Sequence, residues 1–358
     1  MMDSAFSTFD KDYNGLIQFI TRSEDINSLI SKLSTCTYPE IKGDKVITNY
    51  LEHRATHKTY IYKLFVIILY GMLEQFIEDV IKEYIKECCT ICSDFNKLPD
   101  KIKQNHHNLT FELVKKLHWP KYNHLQLGNI IHSLNQGINM NIATIIPESF
   151  MQNGGNYCHD EICKTFSNIG IDIKLLEKYD PLADYLNKIY GDNKHANLFF
   201  DSSINRIVTE RNTIAHGGQQ GLNLLDTNGM QNLATELYHY AKSVNNLLTD
   251  KIYELIYDSN PLEEFESDEL LKNRTVIIPK LKNILLRKDN KIIAKRSNGL
   301  YPQYFIHKII NLQIDNFNCD SVNCENTPRE VGIELDIPTK KNCRYKMMHY
   351  CPPVKLLI

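Results

Sequence analysis

One uninterrupted apolar pattern constrains this chain more than any other feature, and it runs through residues 58–87. Apolar side chains recur there at spacings of three and four: Ile61, Leu64, Phe65, Ile68, Leu69, Met72, Leu73, Phe76, Ile77, Val80, Ile81 and Tyr84. A stripe this wide is typical of a helix buried among other helices. The sequence therefore predicts a helical bundle built around residues 58–87.

Weaker apolar patterns predict further helices on both sides of this segment. They cover residues 5–35, 111–118, 125–138, 161–168, 173–178, 182–190, 198–216 and 222–256. Ser202 or Ser203 can cap the start of helix 198–216, because a serine hydroxyl accepts from the first unpaired backbone N–H groups. The looser, more polar texture of residues 93–157 predicts an insertion between core helices, and such insertions commonly carry substrate or partner contacts.

Helix 198–216 ends in a polar stretch, Glu210-Arg211-Asn212-Thr213-Ile214-Ala215-His216-Gly217-Gly218. The paired glycines are a helix stop signal, since the first can adopt the left-handed conformation. Asn212 and His216 are four apart and share one face. Arg211 and His216 are about 140° apart around an ideal helix. We expect them to converge only if His216 lies in a frayed last turn, or if a second chain completes the site.

The chemistry of these residue types suits RNA. An arginine fork donates two hydrogen bonds to a phosphate, and a histidine exchanges protons near neutral pH. Together they suffice for attack by a 2′-hydroxyl on its own phosphodiester without a metal. The alternative is that Arg211 is a surface cation and His216 a C-terminal cap favoured by the helix dipole.

The stretch Arg-Asn-x-x-x-His-Gly, from Arg211 to Gly217, resembles the Rx4–6H signature of the HEPN superfamily, including its RiboL-PSP-HEPN and MAE types. A polar residue often follows the arginine in that signature. The resemblance covers roughly residues 50–250 and implies a mainly α-helical antiparallel bundle. Many members are metal-independent endoribonucleases of defence, toxin–antitoxin or RNA-processing systems, with the active site in a cleft between two HEPN domains.

The resemblance implies that Arg211, Asn212 and His216 are the catalytic set, that RNA is the substrate and that the chain is a homodimer. An antitoxin or defence-system protein is then a possible partner. In one branch a tyrosine two residues after the histidine is modified by a nucleotidyltransferase antitoxin; Gly218 occupies that position here and puts this control in doubt. Glu74 and Glu78 flank the stripe of helix 58–87. Both residues are interpreted either as part of a solvated face or as carboxylates that border the RNA site. In the second interpretation, Glu74 is a tentative substrate-binding residue.

A different texture begins after the acidic linker, residues 258–273. Short strand-like runs predict a small β-rich domain, barrel- or sandwich-like, over residues 274–358, following a helical domain over 1–257. Basic and aromatic side chains interleave there, a combination that can hold single-stranded nucleic acid by charge and stacking. The tentative substrate-binding residues are Lys295, Arg296, Tyr301 and Tyr304. Barrel packing with surface lysines explains the same pattern.

Charge and cysteine usage bound the class of protein. From Leu271 onward, sixteen Lys and Arg stand against seven Asp and Glu, although the whole chain has a net charge of −2. A basic module is a hint of nucleic-acid binding. No run of eighteen apolar residues and no signal peptide is evident, and ten cysteines without a secretory signal predict a cytoplasmic protein with reduced thiols. The cysteines form no recognised ligand set, so we expect no metal and no cofactor.

Overall fold

The computed structural model describes residues 4–38, 41, 44–151, 156–179, 181–190, 203–217, 222–267, 269–297, 302–325 and 327–348. The chain forms two compact units. The first comprises residues 1–89 and 94–248, and the second residues 90–93 and 249–358. The predicted class, a mainly helical domain followed by a β-rich one, is confirmed.

Helices make up the first unit. In chain order they are α1 (Ser4–Ser34), α2 (Lys45–Glu52), α3 (Arg54–Ile91), α4 (Asp100–Lys115), α5 (Leu127–Asn139), α6 (His159–Asn168), α7 (Leu182–Tyr190), α8 (Asn205–Ala215) and α9 (Thr227–Ser259). Short 3-10 turns lie between them at Phe95–Lys97, Pro120–Tyr122, Pro147–Phe150 and Ile173–Lys178. The last turns of α9, from residue 249, belong to the second unit.

Most of the stripe predicted for residues 58–87 forms the buried face of α3, but its members Leu64 and Ile68 are exposed. Phe65, Leu69, Leu73, Ile77 and Ile81 are each completely buried. The face opposite them is exposed over the first half of the helix. An apolar stripe packs in this way because each buried side chain of this size removes apolar surface from water, which stabilises the fold by about 1.5–3 kcal/mol.

The motif helix α8 is shorter than the sequence suggested. It begins at Asn205, and Ile204 is its N-cap without a side-chain cap bond. Ser203 is therefore not the cap, because its hydroxyl donates to the Glu236 carboxylate of α9 instead; Ser202 lies outside the described residues. At the other end, His216 is the C-cap and Gly217 has a φ of 74°, the left-handed conformation expected of a glycine that ends a helix.

The second unit is a curled antiparallel sheet resembling half a barrel. Its strands are β1 (Phe265–Glu266), β2 (Leu270–Leu271), β3 (Val276–Ile277), β4 (Lys280–Leu281), β5 (Ile284–Arg287), β6 (Lys291–Arg296), β7 (Gln303–Ile314), β8 (Phe317–Cys319), β9 (Ser321–Cys324), β10 (Arg329–Glu330), β11 (Gly332–Leu335) and β12 (Cys343–Met347). The main sheet has the order β1-β12-β6-β7-β11-β3-β2, with β8 paired to β7. Two small ribbons, β10-β4 and β5-β9, complete the unit.

Alternating burial explains the strands. In β12 the side chains of Cys343, Tyr345 and Met347 are buried while Arg344 between them is exposed. This period of two is the signal by which β5 and β12 could be predicted with their observed bounds. Within the described residues, no helix is both long and apolar enough to cross a membrane.

Candidate active site at the motif helix

A partly buried ion pair and a tyrosine fix α8 against α3. The Nε of Arg206 donates to Glu210 across 2.8 Å, and the hydroxyl of Tyr62 donates to the other oxygen of the same carboxylate. Tyr62 and Glu210 are both buried. Since burying a carboxylate is costly unless it is hydrogen-bonded and paired, this contact sets the rotation of α8 on α3. The residue after Glu210 is Arg211.

Arg211 is half-buried and held from two directions. Its Cζ lies 4.7 Å from the centroid of the Tyr70 ring on α3, a cation–π geometry. Its Nη1 donates to the side-chain oxygens of Asn156, at 3.1 Å, and Asn212, at 3.0 Å. Its Nε and Nη2 make no hydrogen bond to any residue that the structure describes. These two nitrogens form the edge with which an arginine grips a phosphate in bidentate fashion.

The two amides next to Arg211 are oriented by each other. Asn156 Nδ2 donates to Asn212 Oδ1 across 2.9 Å. Because the guanidinium can only donate, the oxygens of both amides must face it. The oxygen of Asn212 thus accepts two hydrogen bonds, and its Nδ2 has no hydrogen-bond partner among the described residues. Asn212 therefore adds two N–H donors to those of Arg211.

Carboxylates lie on α3 one and two turns beyond Tyr70. Glu78 is 8% exposed, forms an ion pair with Lys121 and accepts a hydrogen bond from the Tyr157 hydroxyl at 3.2 Å. The solvated interpretation of Glu78 is therefore wrong. Lys121 and Tyr157 lie far away in the sequence and cover the carboxylate, which spacing on α3 alone could not reveal.

Glu74 is half-buried, so both interpretations of this residue stay open. Burial raises the pKa of its carboxyl above the usual value, and the neighbouring charge of Glu78 adds to that rise. Lys121 and Arg211 act in the opposite direction. Glu74 therefore belongs to the electrostatic surroundings of Arg211, and its role in holding substrate remains a prediction.

His216 is exposed at the end of α8. Among the described residues, no hydrogen bond or ion pair joins its side chain to Arg211. The structure thus brings Arg211, Asn212 and Glu74 into one neighbourhood and leaves the histidine at its margin. Gly218, the position discussed for tyrosine modification, lies outside the described residues.

The tentative residues of the second unit are arranged differently from a stacking platform. Tyr304 is 5% exposed and packs against Tyr257 and Ile293. The Lys295 ammonium lies 5.7 Å from the centroid of the Tyr304 ring and 5.2 Å from that of Tyr257. A ring buried in this way cannot stack on a base. Arg296 is half-buried beside Lys295 on β6; Tyr301 lies outside the described residues.

Sequence reasoning missed the residues that hold Arg211. Tyr70 belongs to α3 but was absent from the predicted stripe, and Asn156 is the last residue of an Asn-Gly-Gly-Asn loop. Only the loop had a signal, because it ends the region predicted to carry substrate contacts. Within the described residues, no group of three or more His, Cys, Asp or Glu side chains is placed to hold a metal ion.

A comparison with sequence models of known families identifies the family of the helical unit. The sequence model of the family described as RiboL-PSP-HEPN matches residues 19–252, well over half of the chain. No curated protein matches the sequence. The matched range contains all the residues around Arg211 described above.

Proposed function

The chain belongs to the RiboL-PSP-HEPN family, whose domain suggests an RNA-cleaving or RNA-binding role, and we propose that it is a metal-independent endoribonuclease. The observation that carries the proposal is the free edge of Arg211, its Nε and Nη2, which have no hydrogen-bond partner among the described residues. A guanidinium already held by Tyr70 and Asn156 loses little conformational entropy when it binds, so its Nε and Nη2 are preorganised donors for a phosphodiester.

The reaction follows from the donors and the histidine. The 2′-hydroxyl of the substrate attacks the adjacent phosphorus while His216 of one copy, as general base, takes its proton. Arg211 and the amide of Asn212 stabilise the negative charge that develops on the phosphate oxygens. The 5′-oxygen of the next nucleotide leaves with a proton from a general acid. The upstream fragment then ends in a 2′,3′-cyclic phosphate.

A second copy of the chain completes this site in our proposal. The exposed face of α3 carries Tyr60, Leu64, Ile67 and Ile68, each at least a third exposed, followed by Gly71. Apart from its chain neighbours and the nearby backbone of α3 itself, no described atom lies within 4 Å of where a Cβ on Gly71 would sit. An apolar helix face of this kind is suited to pack against another helix.

This face is self-complementary. If the two helices pack antiparallel about a two-fold axis between Ile67 and Ile68, Leu64 of one copy lies opposite Gly71 of the other. The symmetry repeats this contact, so each leucine side chain packs over a glycine of the other copy. Tyr70, on which Arg211 stacks, lies about 4 Å along the helix from that axis at a rise of 1.5 Å per residue. The two Arg211 residues then flank one cleft, where a histidine from the other copy is available.

The first test is incubation of the purified protein with a labelled RNA pool in EDTA, alongside Arg211→Ala and His216→Ala. We expect cyclic-phosphate fragments from the parent, and a loss of rate by at least 100-fold in each variant. Thr213→Ala, an exchange on the same helix outside the proposed set, is the matched control. Cleavage that requires added Mg²⁺, or an undiminished rate with His216→Ala, would refute the proposal.

The competing candidate is a non-catalytic RNA-binding or dimerisation module. The exposed position of His216, whose side chain is not joined to Arg211 by a hydrogen bond or ion pair among the described residues, favours it. It predicts RNA binding or association that does not change in the Arg211 and His216 variants. We further propose a cytoplasmic role in antiphage defence or a toxin–antitoxin system; slowed host growth on expression of the parent but not of His216→Ala would support it.

A further inference from the structure

Asn156 joins the insertion to the motif helix. Asn156 lies in residues 93–157, the segment predicted to be an insertion, and it contacts Arg211 and Asn212 of α8. Its Oδ1 accepts from Arg211 Nη1 at 3.1 Å and from the Tyr70 hydroxyl at 3.5 Å, while its Nδ2 donates to Asn212 Oδ1. One amide thus contacts both polar residues of the motif and the ring beneath them.

The neighbouring residue holds Asn156 in place. Tyr157 is 1% exposed. Its backbone N–H donates to the Tyr70 hydroxyl at 3.4 Å, and its own hydroxyl donates to Glu78 at 3.2 Å. Glu78 in turn is paired with Lys121, which also belongs to the insertion. A residue whose neighbour is anchored in this way has its side-chain direction fixed by the core.

The orientation of the Asn156 amide decides whether Asn212 presents its oxygen or its NH2 group to a ligand. Since Asn156 offers an N–H to Asn212, the oxygen of Asn212 points inward and its NH2 group is left for a ligand. If position 156 offered only acceptors, Asn212 would satisfy them with its NH2 group. Two donors would then be turned away from the free edge of Arg211.

We propose that Asn156 is a positioning residue, which sets the Asn212 amide and the Arg211 guanidinium to bind one RNA phosphate. The inference rests on the proposed function in taking RNA as the ligand. The segment predicted to be an insertion, residues 93–157, then forms part of the site.

Asn156→Asp and Asn156→Ala separate orientation from simple contact. Aspartate keeps an acceptor for Arg211 but has no N–H for Asn212, so Asn212 turns its NH2 group inward. Alanine removes both contacts without reversing Asn212. We expect kcat to fall by about 10- to 100-fold in both variants, with the larger loss for aspartate, as misplaced donors lose their stabilisation of the transition state.

The controls are matched in chemistry. Asn105→Asp replaces an asparagine that donates to the Asn168 carbonyl, at 2.9 Å, away from the site. It should keep the kcat and KM of the parent. Circular dichroism and thermal unfolding establish that each variant is folded. A double-mutant cycle with Asn212→Ala measures whether Asn156 acts through Asn212: the Asn156→Ala loss should then be at least threefold smaller in the Asn212→Ala background.

Binding of 2′-O-methyl RNA, in which the nucleophile is blocked, distinguishes the two proposals. If the parent cleaves RNA but both Asn156 variants stay within twofold of it, or the cycle is additive, the inference is overturned. If the parent cleaves nothing but binds this RNA, and the cycle is non-additive in affinity, the nuclease proposal fails and the positioning role stands. A parent that neither cleaves nor binds overturns both.

Discussion

At the scale of single residues, the site is a cation held between an aromatic ring and amides, with a carboxylate nearby. Arg211 was identifiable from its place before Asn212 and His216, whereas its stack on Tyr70 was not. Glu74 was open between two interpretations. It is half-buried near Glu78, and burial, followed by that neighbouring charge, raises the pKa of its carboxyl.

Glu74→Gln is expected to stabilise the protein at neutral pH. A carboxyl whose folded pKa is raised holds a proton that the unfolded chain has lost, so its contribution to stability falls as the pH rises above about 4.5. Glutamine removes this dependence. We therefore expect a higher Tm than the parent at pH 7 and a similar Tm at pH 4, measured by calorimetry.

The same exchange should strengthen RNA binding, because it removes a negative charge beside Arg211. About 1 kcal/mol would give roughly fivefold tighter binding of 2′-O-methyl RNA. Glu52→Gln, at the exposed last residue of α2, is the control and should change neither quantity. A Glu74→Gln protein that is less stable at pH 7 than at pH 4, relative to the parent, would contradict the assignment.

At the scale of elements, α4 and α5 pack closely around a buried histidine. His106 is completely buried, and its ring centroid lies 5.5 Å from that of Phe95. A Cβ added at Gly137 on α5 would lie 3.1 Å from the Phe95 ring and 3.5 Å from His106 Nε2. The close approach of the two helices therefore depends on a glycine. Burial, with a smaller contribution from the His107 charge, lowers the pKa of His106 to about 4.

His106 should make the helical unit sensitive to acid. Between pH 6.5 and 4 the unfolded chain binds a proton that folded His106 does not, so the free energy of unfolding falls as the pH falls. The loss is on the order of 3 kcal/mol at pH 4. His106→Phe should show a correspondingly shallower loss in urea unfolding across this range, whereas His132→Phe, at an exposed position, should follow the parent. Equal slopes in all three proteins would show that His106 protonates freely when folded.

At the scale of the whole molecule, the proposed site needs two copies. The exposed apolar face of α3 runs along the same helix toward Tyr70 and Glu74, so a partner seated on it lies beside Arg211. The buried and exposed faces of α3 are both apolar over its first half. Periodicity could not distinguish the core face from a face left for a partner.

Leu64→Glu should dissociate the proposed dimer, because it places two like charges in an apolar contact, each opposite Gly71 of the other copy. Sedimentation or light scattering should then give the mass of one chain, with RNA cleavage reduced at least 10-fold. Ile131→Glu, which charges an exposed apolar position on α5, is the control and should leave the mass unchanged. A parent that is already monomeric at working concentrations would refute the proposed interface.

Mixing Arg211→Ala with His216→Ala protein tests whether the site is shared. If each site takes its arginine from one copy and its histidine from the other, a mixed dimer has one intact site. Random exchange of equal amounts should then restore about a quarter of the parent activity. No recovery after exchange would show that each copy supplies both residues to its own site.

The sequence by itself determined those elements whose signals are local. The stripe of α3, the alternation of β12 and the glycine after His216 are patterns within a few residues of one another. The order of these elements, and the position of Arg211 near the end of α8, were also readable. The family match over residues 19–252 agrees with the resemblance carried by that short motif.

Only the tertiary structure decided which side chains meet Arg211. Asn156 is 55 residues from it in the chain, and the hydroxyl of Tyr157 reaches Glu78 across 79 residues. Contacts between residues so far apart in the chain produce no periodic pattern in the sequence, since they form only when distant segments fold together. Burial also changes the interpretation of a carboxylate such as Glu78. A helical wheel places Glu78 next to solvent, whereas in the structure Lys121 pairs with it and Tyr157 donates a hydrogen bond to it, and both exclude water.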